Sequence, residues 1–216
     1  MLWLCLHFPK LPLEALTVKP DFAETHLRVV IESQHVITCD DAVEALGVKA
    51  GLKQSTVRGL LSGHSLQLLS RDRGKEQQTL KRLRQWAYSI TPTLSLWRED
   101  CLQLEVSRCL LVHSGLENLL RKLAIELDQR GFSVSLGMGP SREAAWLFSQ
   151  SQRAPLAMSA AHSLPLETQL APIPLSYVTE FPKDTTALAK AGVRTFKDLL
   201  ALPSASVKRR CSRECS

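Results

Sequence analysis

No apolar run in the 216-residue chain approaches the ~18 residues that a helix needs to cross a bilayer. A helical membrane span is therefore excluded. The opening Met1-Leu-Trp-Leu-Cys-Leu-His-Phe8 is apolar but stops at Pro9-Lys10, with no basic leader and no small-residue cleavage site, so no secretory signal is expected. The six cysteines, Cys5, Cys39, Cys101, Cys109, Cys211 and Cys215, include no CxxC pair with metal-ligand spacing. They read as reduced thiols of a cytoplasmic protein. Gly137-Met-Gly139 is too short to form a phosphate loop and carries no nucleotide role.

What is present is ordinary globular composition, 44% hydrophobic and 22% charged, in a chain long enough for one large or two small domains. The net charge of +6, with a pI near 9.1, favours a polyanionic partner without requiring one.

Leu2–Phe8 reads as a buried strand. Leu27–Glu32 and His35–Cys39 are β-branched runs around Ser33-Gln34, the pattern of a hairpin. Asp41–Leu46 and Gln54–Leu61 read as short helices, and Ser65–Leu69 as a strand. A polar helix follows over about Asp72–Tyr88, with Leu80, Leu83, Trp86 and Ala87 at helical spacing. Its first turn, Arg71-Asp-Arg-Gly-Lys-Glu76, has the mixed charge of a solvated face. Thr93–Trp97 and Cys101–Val106 are strands joined by a tight turn. Ser114 with Glu117 forms a capping-box pattern that opens a helix to about Gln129, closed by Gly131. Phe132–Met138 is a strand, and Ser141 caps a helix through Gln150.

With an insertion at about residues 20–70 set aside, this order is β, α, β, β, α, β, the ferredoxin-like split βαβ arrangement of an α+β protein. Prolines 165, 172, 174 and 182 mark residues 164–182 as an irregular connector, and residues 183–216 read as a small helical domain after a first domain of residues 1–163. Within the last piece Gly192 permits a tight turn and Thr195 can cap the next helix. Helix–hairpin–helix turns of this kind present backbone amides to a phosphate, and Arg194, Lys197, Lys208, Arg209 and Arg210 add charge attraction. The alternative is a small helical bundle with a basic surface.

Several segments resemble the Y-family of DNA polymerases, and its ImuB-type branch in particular. They are Trp3-Leu-Cys-Leu-His-Phe-Pro-Lys-Leu-Pro-Leu-Glu14; the fingers-like Ala45-Leu-Gly-Val-Lys-Ala-Gly-Leu52; Thr91-Pro-Thr-Leu-Ser-Leu-Trp97 with Leu104-Glu-Val106; Leu136-Gly-Met-Gly-Pro-Ser-Arg-Glu-Ala-Ala-Trp-Leu147; and the thumb-like Gly192-Val-Arg-Thr-Phe-Lys-Asp-Leu-Leu-Ala-Leu-Pro203. The resemblance implies a palm with a fingers insertion, followed by a partial thumb.

It also assigns positions. The first-strand metal-binding Asp of an active polymerase falls at Cys5, the second acid of that motif at His7, and the aromatic sugar-sensing residue at Lys10. The hairpin Asp falls at Asp100 and its Glu at Cys101, with Glu99 pointing into the turn or to the other face. The Tyr and Arg that hold the triphosphate fall at Asp41 and Glu44. One carboxylate and two soft thiols are a poor set for two Mg²⁺ ions, and two acids repel a triphosphate. A zinc pair of Cys5 and Cys101 with His7 lacks an evident fourth ligand, so neither a metal nor a cofactor is expected.

The resemblance therefore implies a non-catalytic, DNA-binding adaptor in DNA repair and damage-induced (SOS) translesion synthesis, with Gly192, Arg194, Thr195 and Lys197 touching DNA. Partners by resemblance are a RecA-like accessory protein and an error-prone replicative-type polymerase. A little finger and a clamp-binding tail are not in this sequence, which leaves sliding-clamp binding in doubt and is the pattern expected of a truncated product. An active translesion polymerase and a protein-interaction module without DNA binding are the rival readings.

Overall fold

The computed structural model describes residues 1–17, 26–150, 164–178, 181–203 and 207. Its strands are β1 (Trp3–His7), β2 (Leu27–Glu32), β3 (His35–Cys39), β4 (Leu66–Ser70), β5 (Leu94–Trp97), β6 (Cys101–Glu105) and β7 (Ser135–Gly139). The helices are α1 (Leu11–Glu14), α2 (Asp41–Ala45), α3 (Gln54–Leu60), α4 (Arg73–Ala87), α5 (Leu116–Gln129), α6 (Arg142–Ser149), α7 (Leu166–Leu170), α8 (Pro182–Lys190) and α9 (Phe196–Leu200). One sheet has the order β5-β6-β1-β7 and the other β3-β2-β4. The first order is that of a split βαβ sheet, so the α+β, ferredoxin-like expectation holds.

The chain divides into two compact units. The first comprises Met1–His7, Gln103–Leu120 and the described part of Ser135–Ser216. Here β1 pairs antiparallel with β7, placing Leu4 opposite Met138 and Cys5 opposite Gly137. Helix α6 packs on both strands. A Cβ on Gly137 would lie 2.0 Å from the Ala145 carbonyl oxygen and 2.1 Å from the Ser149 amide nitrogen. Glycine at 137 therefore serves helix-on-strand packing, which accounts for a residue whose short motif suggested nothing in the sequence. Ser141 caps α6 as expected, its hydroxyl accepting from Ala144 N at 3.2 Å.

The same unit holds the C-terminal helices. Helix α7 and a 3₁₀ turn at Leu175–Tyr177 lie within the stretch that its prolines had marked as irregular. Leu175, Leu188 and Val193 form a small core with Phe196, Leu199 and Leu202 packed against it.

The second unit comprises Phe8–Leu102 and Arg121–Val134. The β2–β3 hairpin turns at Ser33 (φ 50°) and Gln34 (φ 66°), the two left-handed residues of a tight hairpin turn. Strand β4 pairs parallel to β2. Val29, Val36, Cys39, Val43, Val48, Val57 and Leu61 fill the core of this insertion.

Two boundaries differ from expectation. Ser114 is not the N-cap of α5: it sits at φ 56°, Gly115 follows at φ 100°, and the helix begins at Leu116. The Ser114 carbonyl instead accepts from Asn118 Nδ2 at 2.9 Å. Strand β7 starts at Ser135 because Phe132 completes the helix stop. Gly131 N donates to Asp128 O at 2.8 Å and Phe132 N to Leu127 O at 3.0 Å, a Schellman closure with Gly131 at φ 76°. The Phe132 ring then meets the buried Phe8 edge-on at 6.2 Å.

Gly137→Ala forces α6 off the strands. Because the obstruction is backbone, it is expected to cost about 3 kcal/mol or more. Thermal unfolding followed by circular dichroism should show a drop of roughly 6–12 °C.

Candidate functional site

The residues singled out by the resemblance lie in both units. In the first, Cys5 and His7 alternate with Leu4 and Leu6 on β1; Cys5 is fully buried and His7 half-buried. In the second, Asp100 ends the β5–β6 turn and Cys101 opens β6. The Asp100 carbonyl accepts from Phe8 N at 2.9 Å, and the buried Cys101 thiol donates to Asp100 Oδ1 at 3.1 Å. Cys5 and Cys101 each carry a reduced thiol. Glu99 does turn away: its carboxylate meets Arg73 Nη1 at 3.2 Å.

The resemblance implies Mg²⁺ ions beside Asp100 and Cys101, and these two donors do not fit them. The Asp100 carboxylate has one oxygen engaged by a thiol, and hard divalent cations prefer several oxygen ligands over protonated sulfur. No metal-dependent step is derived.

Beside Asp100 lies a cleft of about 350 Å³, lined by Phe8, Ile37, Arg71, Arg98 and Glu99 among others. Arg71 grips Glu76 with two 2.7 Å hydrogen bonds and reaches Glu32 at 3.2 Å. Glu76 is only 4% exposed, so this is a buried, bidentate ion pair. The hydrogen bonds that Arg71 donates to Glu76 raise its pKa more than burial lowers it. The expectation of a solvated face over Arg71–Glu76 is corrected. Charge alternation along one turn says nothing about which members point inward, and here β2 and α4 enclose two of them.

Asp41 and Glu44 stand in and beside the first turn of α2, and both pair with Lys10. Lys10 Nζ bonds Asp41 directly and lies 3.7 Å from Glu44. Burial lowers the Lys10 pKa, but the Asp41 hydrogen bond and the two carboxylate charges outweigh it, and the net shift is upward. The three positions matched to nucleotide-contacting residues thus satisfy one another. Sequence reading treated them separately, because 31 residues separate Lys10 from Asp41.

The hairpin between α8 and α9 is built as expected in outline. Gly192 takes φ 85°, and Thr195 caps α9, accepting from Asp198 N at 3.3 Å. The reciprocal half was not foreseen: Asp198 Oδ2 accepts from Arg194 N at 3.0 Å and Thr195 N at 2.9 Å. These bonds hold the Asp198 pKa below the ordinary carboxylate value. Phe196 N donates to Ile173 O and Lys197 N to Ala171 O, each at 3.0 Å, while Gly192 N and Val193 N bond back to α8. Each of these amides has an internal acceptor. The picture of open amides cradling a phosphate is corrected, and what the hairpin offers an anion is the side chains of Arg194 and Lys197. Lys208, Arg209 and Arg210 lie outside the described residues.

A palm-like sheet with a fingers-like insertion and a terminal helical hairpin defines the class, a Y-family DNA polymerase fold. Among solved structures, the insertion ternary complex of Dbh DNA polymerase superposes with a TM-score of 0.75 at 16% identity, covering 99% of this chain and 64% of that one. The post-insertion binary complex of the same polymerase gives a TM-score of 0.73 at 15% identity, covering 99% and 64%. DinB from Sulfolobus solfataricus gives 0.69 at 15% identity, covering 97% and 63%. The chain thus spans about 64% of the length of these polymerases. A search of curated proteins gives no match. The family model "impB/mucB/samB family" matches residues 14–150, and the chain belongs to that family.

These matches correct the expectation that the protein is not an enzyme. The family and fold are those of DNA polymerases, which are enzymes. Residue types at Cys5, His7, Asp100 and Cys101 describe metal affinity, whereas activity is a property of turnover. Among the described residues no helix is long and apolar enough to cross a membrane.

Two outcomes follow from this geometry. Glu76→Ala leaves the buried Arg71 cation without its main partner and should cost about 3–5 kcal/mol, read by urea denaturation. The Asp198 pKa is depressed on folding, so its contribution is present above the unfolded value near 3.9 and lost as pH falls through the folded one. Hydrogen-exchange protection factors at Arg194 and Thr195 should fall in that acid window and already be low in Asp198→Ala at neutral pH.

Proposed function

We propose that this protein acts in DNA-damage tolerance, as the DNA-binding and adaptor component of a translesion-synthesis assembly of the ImuB-type branch. The observation that carries the proposal is the Lys10–Asp41–Glu44 cluster. Where the resemblance puts an aromatic residue, a Tyr and an Arg around the nucleotide, this chain has a cation and two anions bound to one another. Its fingers element is thereby tied to the segment after β1 by protein charge. The expected partners are DNA, a RecA-like accessory protein and an error-prone replicative-type polymerase. On DNA, Arg194 and Lys197 supply attraction to phosphates, and the net charge of +6 supports sequence-independent binding.

The second reading is a template-directed translesion polymerase. Asp100 favours it, as a carboxylate retained at a family metal position beside the Phe8–Arg71 cleft. Primer extension with Mg²⁺ or Mn²⁺ separates the two. Extension that disappears in Asp100→Ala selects the polymerase; DNA binding without extension selects the adaptor.

Under either reading DNA binding is salt-sensitive, with a log–log slope of roughly −3 to −5 by fluorescence anisotropy, and a slope near zero refutes the electrostatic account. Arg194→Ala should reduce that slope by about one. Gly192→Val meets no neighbour within 4 Å, so its harm comes from the left-handed φ of 85° alone. It should weaken binding by distorting the hairpin while β1 and β7 remain paired. If both variants bind as the parent does at low salt, the hairpin is structural only.

A further inference from the structure

On the second unit, α4 and the residues that follow α5 enclose a pocket of about 200 Å³, lined by Thr79, Arg82, Leu83, Trp86, Arg130 and Phe132. We propose that this pocket is a docking site for an acidic segment of a partner protein, which seats one phenyl or aliphatic side chain between Trp86, Leu83 and Phe132. The proposal stands apart from the DNA-binding reading, because it uses no residue of the α8–α9 hairpin.

Size favours a side chain. Pockets for whole small molecules run from about 300 Å³ upward, whereas one anchor residue fits a smaller, mainly apolar recess. The recess is built to hold its shape. Trp86 Nε1 donates to Glu126 Oε2 at 2.6 Å, and the Arg130 guanidinium lies 5.1 Å from the centroid of the Trp86 ring. Lys122 and Arg130 also approach Glu126, at 3.9 and 3.7 Å. The indole is thus fixed in orientation before anything binds, which limits the entropy lost on docking.

Charge selects the partner. Arg82 stands at the rim, and α4 also exposes Lys75, Lys81 and Arg84, while Arg73 is held by Glu32 and Glu99 and the one carboxylate of α4, Glu76, is buried. An acidic segment finds complementary charge around an apolar centre. Nucleic acid fits less well. One face of the Trp86 indole already carries Arg130, so stacking of a base on that face is blocked.

The probe is a fluorescein-labelled acidic octapeptide of Asp and Glu with one central Phe, titrated with the full chain and followed by anisotropy. Its companions are the same peptide with Ala for Phe, and a thymidine oligonucleotide of equal charge. The Phe peptide should bind at least tenfold more tightly than the Ala peptide. Arg82→Glu should weaken it at least tenfold, and Lys49→Glu, at an exposed position outside α4 and the pocket lining, no more than about threefold. Both substitutions are at exposed positions, and circular dichroism should show the fold unchanged. The proposal is overturned if the Phe peptide does not bind, if the two peptides bind alike, or if Lys49→Glu matches Arg82→Glu. It is equally overturned if the oligonucleotide displaces the Phe peptide and depends on Arg82 more steeply.

Discussion

In the second unit, much of the arrangement depends on carboxylates finding cations inside the protein. The Arg71–Glu76 pair is the strongest case. A guanidinium that is 15% exposed and a carboxylate that is 5% exposed meet in two parallel 2.7 Å bonds, and Arg71 extends to Glu32 on β2. Neither charge is tolerable there alone, since removal from water costs several kcal/mol per ion. The pair therefore fixes where α4 begins relative to β2. Arg28 pairs in turn with Asp40, whose carboxylate also accepts from the Arg28 amide at 2.8 Å, and nearer the surface Lys10 pairs with the exposed Asp41 and Glu44. Charges of both signs from separate segments thus neutralise one another within this unit.

The terminal hairpin shows the same economy with backbone amides. A helix start leaves several N–H groups without partners, and a nearby anion is the usual remedy. Here Asp198 is that anion. Its carboxylate lies where an external phosphate would have to compete, so the loop is stable without a ligand.

Most of the secondary structure was legible in the sequence. Ser33-Gln34 between two β-branched runs gave a hairpin, Ser141 caps the helix that follows it, and Gly131 stops α5. The family was legible too, through short segments in the right order, and the family match over residues 14–150 agrees. Functional inference from the same positions overreached. Loss of acids at Cys5 and Cys101 speaks to metal ligation, and a fold shared with polymerases does not support the conclusion that the chain is no enzyme.

By itself the sequence determined what depends on near neighbours: the turns, the caps, the apolar faces of α4 and α5, and the order of the strands. Those follow from backbone dihedral preferences and periodicity, which act over a few residues. Only the tertiary structure decided which charges are buried and with whom. Lys10 meets Asp41, Arg71 meets Glu32, and Arg130 covers Trp86, because the fold brings side by side chain segments that are far apart in sequence. It also decided that Gly137 must lack a side chain, since the obstruction comes from the backbone of α6. Local propensity contains no record of such encounters, and the candidate sites of this protein are made from them.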